Sequence, residues 1–224
     1  MLFLILFLLL FVFFPWLLLP LFVFLLINLL LLPFSFTFRS LLSLMTIPGQ
    51  IWQIATNRHL RSNHALEHAT INVIEEHYGA QQLAGFAQED GFFIKGPVQP
   101  HLIENAARIG LRRLQQGEKH LAIHRRCGTT MAAANFLSAI VFLTLLVITG
   151  QFTLVNVLPA ILIANLVGPV FGIWLQQHLT TSSDVDKLEI VGVEYRVPAF
   201  RVFPGALGFV PTEFFVRTQQ KSRR

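Results

Sequence analysis

Two histidines one helical turn apart, with a glutamate just before the second, form the most reactive-looking pattern in this sequence: His64-x-x-Glu67-His68. They sit in a stretch from Ser62 to Gly79 that reads as about four turns of helix, with Ser62 or Asn63 as N-cap and Gly79 as the stop. At 100° per residue, His64, Glu67, His68, Ile71 and Glu75 share an arc of roughly 100°. Leu66, Ala69, Thr70 and Val73 lie opposite and form the packed side. The i, i+4 spacing lets both imidazoles reach one metal ion, and Glu67 is set to take a proton from water on that ion. A solvated polar face is the plain alternative, but such faces are rich in Lys and Glu rather than His.

A catalytic zinc takes three protein ligands and keeps a place for water, whereas a structural zinc takes four. The remaining donors with suitable spacing are His124 and Cys127, as His-x-x-Cys followed by Gly128. Cys127 precedes an expected helix N-terminus beside Arg125 and Arg126, which favours its thiolate. It reads as a ligand, against an inert buried thiol or a nucleophile paired with His124. The N/S donor set suggests zinc over magnesium or calcium, with iron as the second choice. Glu75 lies seven residues beyond His68, about 10 Å of rise, so it suits orienting a ligand better than binding the same ion. His59, His77, His101, His120 and His178 have no matching spacing, and His120 is the spare ligand among them.

The elements that must hold these residues follow from where charge is missing. The first 38 residues carry no charged side chain, and neither does the stretch from Met131 to His178. Both read as membrane segments. The predicted fold is a membrane protein in four parts: an N-terminal transmembrane segment (1–38), a small α+β metal-binding domain (39–130), a transmembrane helical hairpin (131–178) and a β-rich C-terminal extension (179–224). Within the first part, Pro15 and Pro20 leave room for one span inside 5–32 with a frayed or re-entrant start. Residues 40–58, interrupted by Pro48-Gly49 and carrying Trp52, read as an interfacial segment.

In the α+β part, Asp90-Gly91 predicts a hairpin turn. A helix over 99–116 carries Ile103, Ala106, Ala107, Leu111 and Leu114 on one stripe. Leu121-Ala122-Ile123 suggests a short strand, and Thr129 or Thr130 suits the cap of the next helix. After Thr181, strand-like runs at 188–190, 191–197, 200–203 and 214–216 suggest a β extension packed on the central hairpin.

The net charge of +5 is modest and gathers near membrane boundaries. No aromatic-basic platform for nucleic acid is visible, so the lipid bilayer is the expected partner, with an unidentified membrane-associated substrate or protein. The single cysteine excludes an intrachain disulfide. The Gly150-Gln151 turn has no Lys or Arg while both flanks of the hairpin do. That puts the turn outside and both soluble parts in the cytoplasm, in a plasma or thylakoid membrane. Asn135, Asn156, Asn165 and Gly168-Pro169 suit interhelical packing, and the spans lack the ionisable groups a transporter needs.

With these residues in view, Asn63 to Asn72, then Glu75, then His124-x-x-Cys127-Gly128-Thr129, the sequence resembles the YqhQ-type family of metal-dependent membrane proteins. The whole layout over roughly residues 60–150, including Gly91 to Gly96 and Leu121 to His124, resembles an uncharacterised family of small multi-pass membrane proteins common in cyanobacteria. The resemblance points at His64, Glu67, His68, Glu75, His124 and Cys127. His-x-x-Glu-His also matches the inverted zinc peptidases, but their distant third ligand, a Glu, has no counterpart here and a Cys departs from their pattern.

The expected function is a membrane-anchored zinc-dependent enzyme, a hydrolase acting on a membrane or juxtamembrane substrate. His64, His68 and either His124 or Cys127 would hold the metal, and Glu67 would act as general base. The alternative is a non-enzymatic protein, a scaffold or assembly factor, in which one Cys and three His close a structural zinc site.

Overall fold

Long apolar runs of leucine, phenylalanine and alanine give three helices, among the described residues, long and apolar enough to cross a membrane: Leu19–Thr56, Gly128–Thr149 and Leu154–Thr180. The computed structural model describes residue 16 and residues 18–79, 82–96, 98–196 and 213–221. The expected start of the N-terminal segment and the strand at 200–203 lie outside the described residues.

The first helix, α1, runs unbroken from Leu18 to Thr56 with Pro33 and Pro48 inside it. The interruption expected at Pro48-Gly49 is therefore absent. A proline removes one backbone hydrogen bond, and in apolar surroundings no water competes for the rest, so the helix continues. Residues 19–32 are exposed, while Pro33, Ser40 and Ile47, seven residues apart, are buried. This 3.5-residue stripe is the seam of a helix packed against others. Phe34 stacks on Phe152 at 5.3 Å and Phe36 meets Phe142 edge-on at 4.8 Å. The packed part of α1 thus begins at Pro33, later than the 5–32 window expected for the span, because the small and half-polar stripe lies there.

Three further elements follow: α2 (Arg58–Tyr78), the hairpin β1 (Ala84–Gln88) and β2 (Gly91–Lys95), and α3 (Pro100–Gln115). Asn57 caps α2 by accepting from the Leu60 N–H at 3.1 Å, five residues before the expected cap Ser62. Ser62 and Asn63 are occupied elsewhere: Ser62 donates to the Asp184 carbonyl, and Asn63 donates to the carbonyls of Gln88 and Glu89. Gly79 ends α2 at φ 75°. The stripe expected on α3 is buried at Ile103, Ala106, Ala107, Leu111 and Leu114.

Leu121 and Ala122 belong to a single 3₁₀ turn, Lys119–Ala122, instead of a strand. Their backbone carbonyls are taken by side chains of α2 and have no sheet to join. Next come α4 (Gly128–Thr149) and α5 (Leu154–Leu175). Buried Ala160, Ala164, Gly168 and Gly172 recur every fourth residue on α5. A Cβ at Gly172 would lie 2.6 Å from the Thr130 Cα, so the two backbones touch. A single π-helical turn, Gln176–Thr180, closes the hairpin.

The tail supplies β3 (Leu188–Arg196) and β4 (Glu213–Gln220), and the sheet order is β1-β2-β4-β3. β4 pairs antiparallel with β2, with Phe93 opposite Phe215, so the expected extension is part of the central sheet. The core between sheet and helices holds Leu66, Ile74, Phe92, Ile94, Ile103, Leu121, Phe214 and Val216.

Candidate metal centre

The middle of α2 is buried on every side: each residue from Ser62 to Ile71 is covered. Of the polar arc, His64, Glu67, His68 and Ile71 are as enclosed as the aliphatic side, and Glu75 is half-buried. Gly110 of α3 lies against Ala69, β1 lies against Glu67, and the 119–127 segment and the end of α5 close the remaining side.

His64 and His68 are each held by one ring nitrogen. His64 Nδ1 lies 2.9 Å from the Thr180 carbonyl, and His68 Nδ1 lies 2.8 Å from the Ala122 carbonyl. A carbonyl only accepts, so both Nδ1 atoms donate to it and both Nε2 atoms face inward. His64 Nε2 is 3.2 Å from Cys127 Sγ. His68 Nε2 is fully buried with no hydrogen-bond partner. A buried acceptor without a partner costs about 1–3 kcal/mol.

Cys127 is the N-cap of α4, with its Sγ accepting from the Thr129 N–H at 3.3 Å. The expected caps do other work, Thr130 accepting from Gln176 Nε2 at 2.7 Å. Among the described residues, His64, His68 and Cys127 bring one donor atom each within 4.8 Å of one another, all three buried. This N/N/S set fits a metal ion, and the orphaned His68 Nε2 is the atom such an ion would satisfy.

His124 stands beside this group and outside it, its ring 6.0 Å from that of His68. Asn72 fixes it: its Nδ2 donates to the Leu121 and Ile123 carbonyls, which leaves Oδ1 to accept from His124 Nδ1 at 2.9 Å. The His124 backbone is clamped by buried Gln176, which accepts from its N–H at 2.9 Å and donates to its carbonyl at 3.1 Å. Glu75 is half-buried, and its charge is felt at His124. Glu67 is buried against Gly85, and its charge acts on His64, His68 and Cys127.

The electrostatics separate the groups. Burial disfavours charge on His64, but the Cys127 hydrogen bond and the Glu67 charge override it and raise the imidazole to about 9. Burial raises the Cys127 thiol, and the His64 bond and charge, with Thr129, bring it below the ordinary value. The pair therefore leans toward imidazolium and thiolate. Burial, with the His64 charge, pushes His68 down to about 4, so it is neutral and free to bind a metal. Burial holds the Glu67 carboxyl above its usual range.

A family model described as a domain of unknown function, DUF6391, matches residues 59–193. The chain belongs to this family. The DUF6391 match begins in the first turn of α2 and contains every residue of the His64–His68–Cys127 group with its carbonyl and amide supports. It includes neither α1 nor β4. An uncharacterised protein of Picosynechococcus sp. is 32% identical over 137 residues, which is 55% of this chain and 66% of that protein. No solved structure matches.

Sequence reasoning missed the supports of the site. The Thr180 and Ala122 contacts are backbone carbonyls, which leave no side-chain signal. Asn72 and Gln176 did leave one: Asn72 is one turn beyond His68, and Gln176 is the first polar residue after an apolar helix.

Proposed function

We propose that this chain is an integral membrane protein with a metal-dependent site, a hydrolase acting on a substrate in or beside the bilayer. The observation that carries the reading is the buried, unpartnered Nε2 of His68 beside the inward Nε2 of His64 and the Sγ of Cys127. Those three atoms would hold the metal, zinc first and iron second. A metal bound there supplies Lewis acidity for attack on an ester, amide or phosphate centre. Glu67 is the proton acceptor for the attacking water, and Asn72 and Gln176 keep His124 beside the group as a proton relay.

A structural zinc closed by one Cys and three His is less favoured, because His124 is turned to Asn72 and stands outside the three-donor group. The three apolar helices are read as three spans, with the metal site at the cytoplasmic side of a plasma or thylakoid membrane, where Arg125 and Arg126 sit.

Metal analysis of the full chain purified in detergent tests the site. Wild type is expected to carry one metal ion, His68→Ala and Cys127→Ser to lose it, and Glu67→Gln to keep it. A wild-type preparation free of stoichiometric zinc or iron would sink the reading.

A further inference from the structure

Near the metal site, α1, α4, α5 and the 176–180 turn line a half-open cavity of ≈310 Å³ whose wall includes Ile47, Ile51, Trp52, Phe136, Phe171 and Leu179. The other two lining residues, Pro48 and Ala55, are apolar as well. A peptide in such a cavity would leave its backbone N–H and C=O groups without partners, a cost an acyl chain does not meet. Leu179 precedes Thr180, whose carbonyl holds His64, so the cavity wall and the metal site share one short segment.

Charge identifies the other end of the occupant. Arg125 and Arg126 are exposed, adjacent and without an acidic partner among the described residues. The arginine pair flanks Cys127 immediately before α4. Phe136 lies eight residues into α4, about 12 Å along its axis. That is the depth from a headgroup into one leaflet of a roughly 30 Å hydrocarbon core.

We propose that this cavity takes an acyl chain of an anionic glycerophospholipid whose headgroup is held by Arg125 and Arg126, which brings that lipid to the metal site as its substrate. The substrate assignment rests on the hydrolase reading, but binding does not require the metal.

The test uses the full chain carrying Trp16→Phe and Trp174→Phe, which leaves Trp52 as the fluorophore. It is reconstituted in phosphatidylcholine nanodiscs with increasing amounts of brominated phosphatidylglycerol or brominated phosphatidylcholine. Half-maximal quenching of Trp52 is expected at a roughly tenfold lower mole fraction of the anionic lipid, the order of preference two basic side chains give at a membrane surface. Arg125→Gln with Arg126→Gln should abolish the preference, and the double Lys variant should retain it. Ala55→Phe, which fills the cavity, should remove the early quenching. Equal quenching by both lipids, or a preference that survives the double Gln substitution, overturns the proposal. Metal content measured on the same samples separates this failure from failure of the metal reading.

Discussion

The carboxylate of Glu67 occupies the space in which a side chain at position 85 would begin: a Cβ added to Gly85 would overlap Glu67 Oε1. A glycine on β1 is thus the seat of the carboxylate that neighbours His64, His68 and Cys127. Gly85→Ala is expected to displace Glu67 while leaving the three donor atoms in place. Metal content should stay at the wild-type level, and stability should fall by about 1–3 kcal/mol in denaturant titrations, the usual cost of overpacking. Loss of metal in this variant would show that Glu67 is itself a ligand.

His124 offers a sharper division. It stands outside the group formed by His64, His68 and Cys127 and is held by Asn72. His124→Ala should retain stoichiometric metal, while His68→Ala and Cys127→Ser should not. Metal-to-protein ratios by elemental analysis decide this, and a His124→Ala protein without metal would restore the four-ligand site.

Acid should find the site before it finds the rest of the fold. His68 is fully buried with its pKa lowered from 6.5 to about 4. Between those values the unfolded chain binds a proton that the folded chain refuses, so folding stability falls as pH drops through that window. The metal-free protein should lose up to about 3 kcal/mol between pH 6.5 and 4 from this residue alone. Denaturant midpoints across that range, compared with His68→Gln, test it: a flat wild-type profile contradicts the burial of a neutral imidazole.

Helix contact transmits to the site through Gly172. Its missing Cβ lets α5 touch Thr130, which accepts from the same Gln176 that clamps His124. Gly172→Val should force α4 and α5 apart and disturb that clamp without changing any proposed ligand. Lower thermal stability and weaker metal retention under chelator challenge are expected, with Gly172→Ala intermediate.

Periodicity made α2 and α3 legible, and the long absence of charge made the α4–α5 hairpin legible. The two halves of the candidate site were legible as donor atoms at one-turn or loop spacing. What escaped was decided by partners far along the chain. Ser62 and Asn63 look like caps, yet the loop at Asp184 and the β1–β2 turn claim them, and Asn57 caps instead. Leu121 and Ala122 look like a strand, but their carbonyls serve Asn72 and His68. The packed face of α1 was invisible in a segment where nearly every residue is apolar. It is marked by Pro33, Ser40 and Ile47, whose seven-residue spacing matters more than their hydrophobicity.

The sheet order carries a consequence for biosynthesis. β4 lies between β2 and β3, although it is made after both apolar hairpin helices, and its Thr218 hydroxyl donates to Asn63 at 2.7 Å, beside the first histidine. The ribosome must therefore deliver α4 and α5 before the strand that completes the sheet exists. Until then β2 offers a bare edge to any other chain, and α2 waits without one of its anchors. Completion of the sheet therefore follows synthesis of both hairpin helices, and nascent chains halted before residue 213 should associate through that edge.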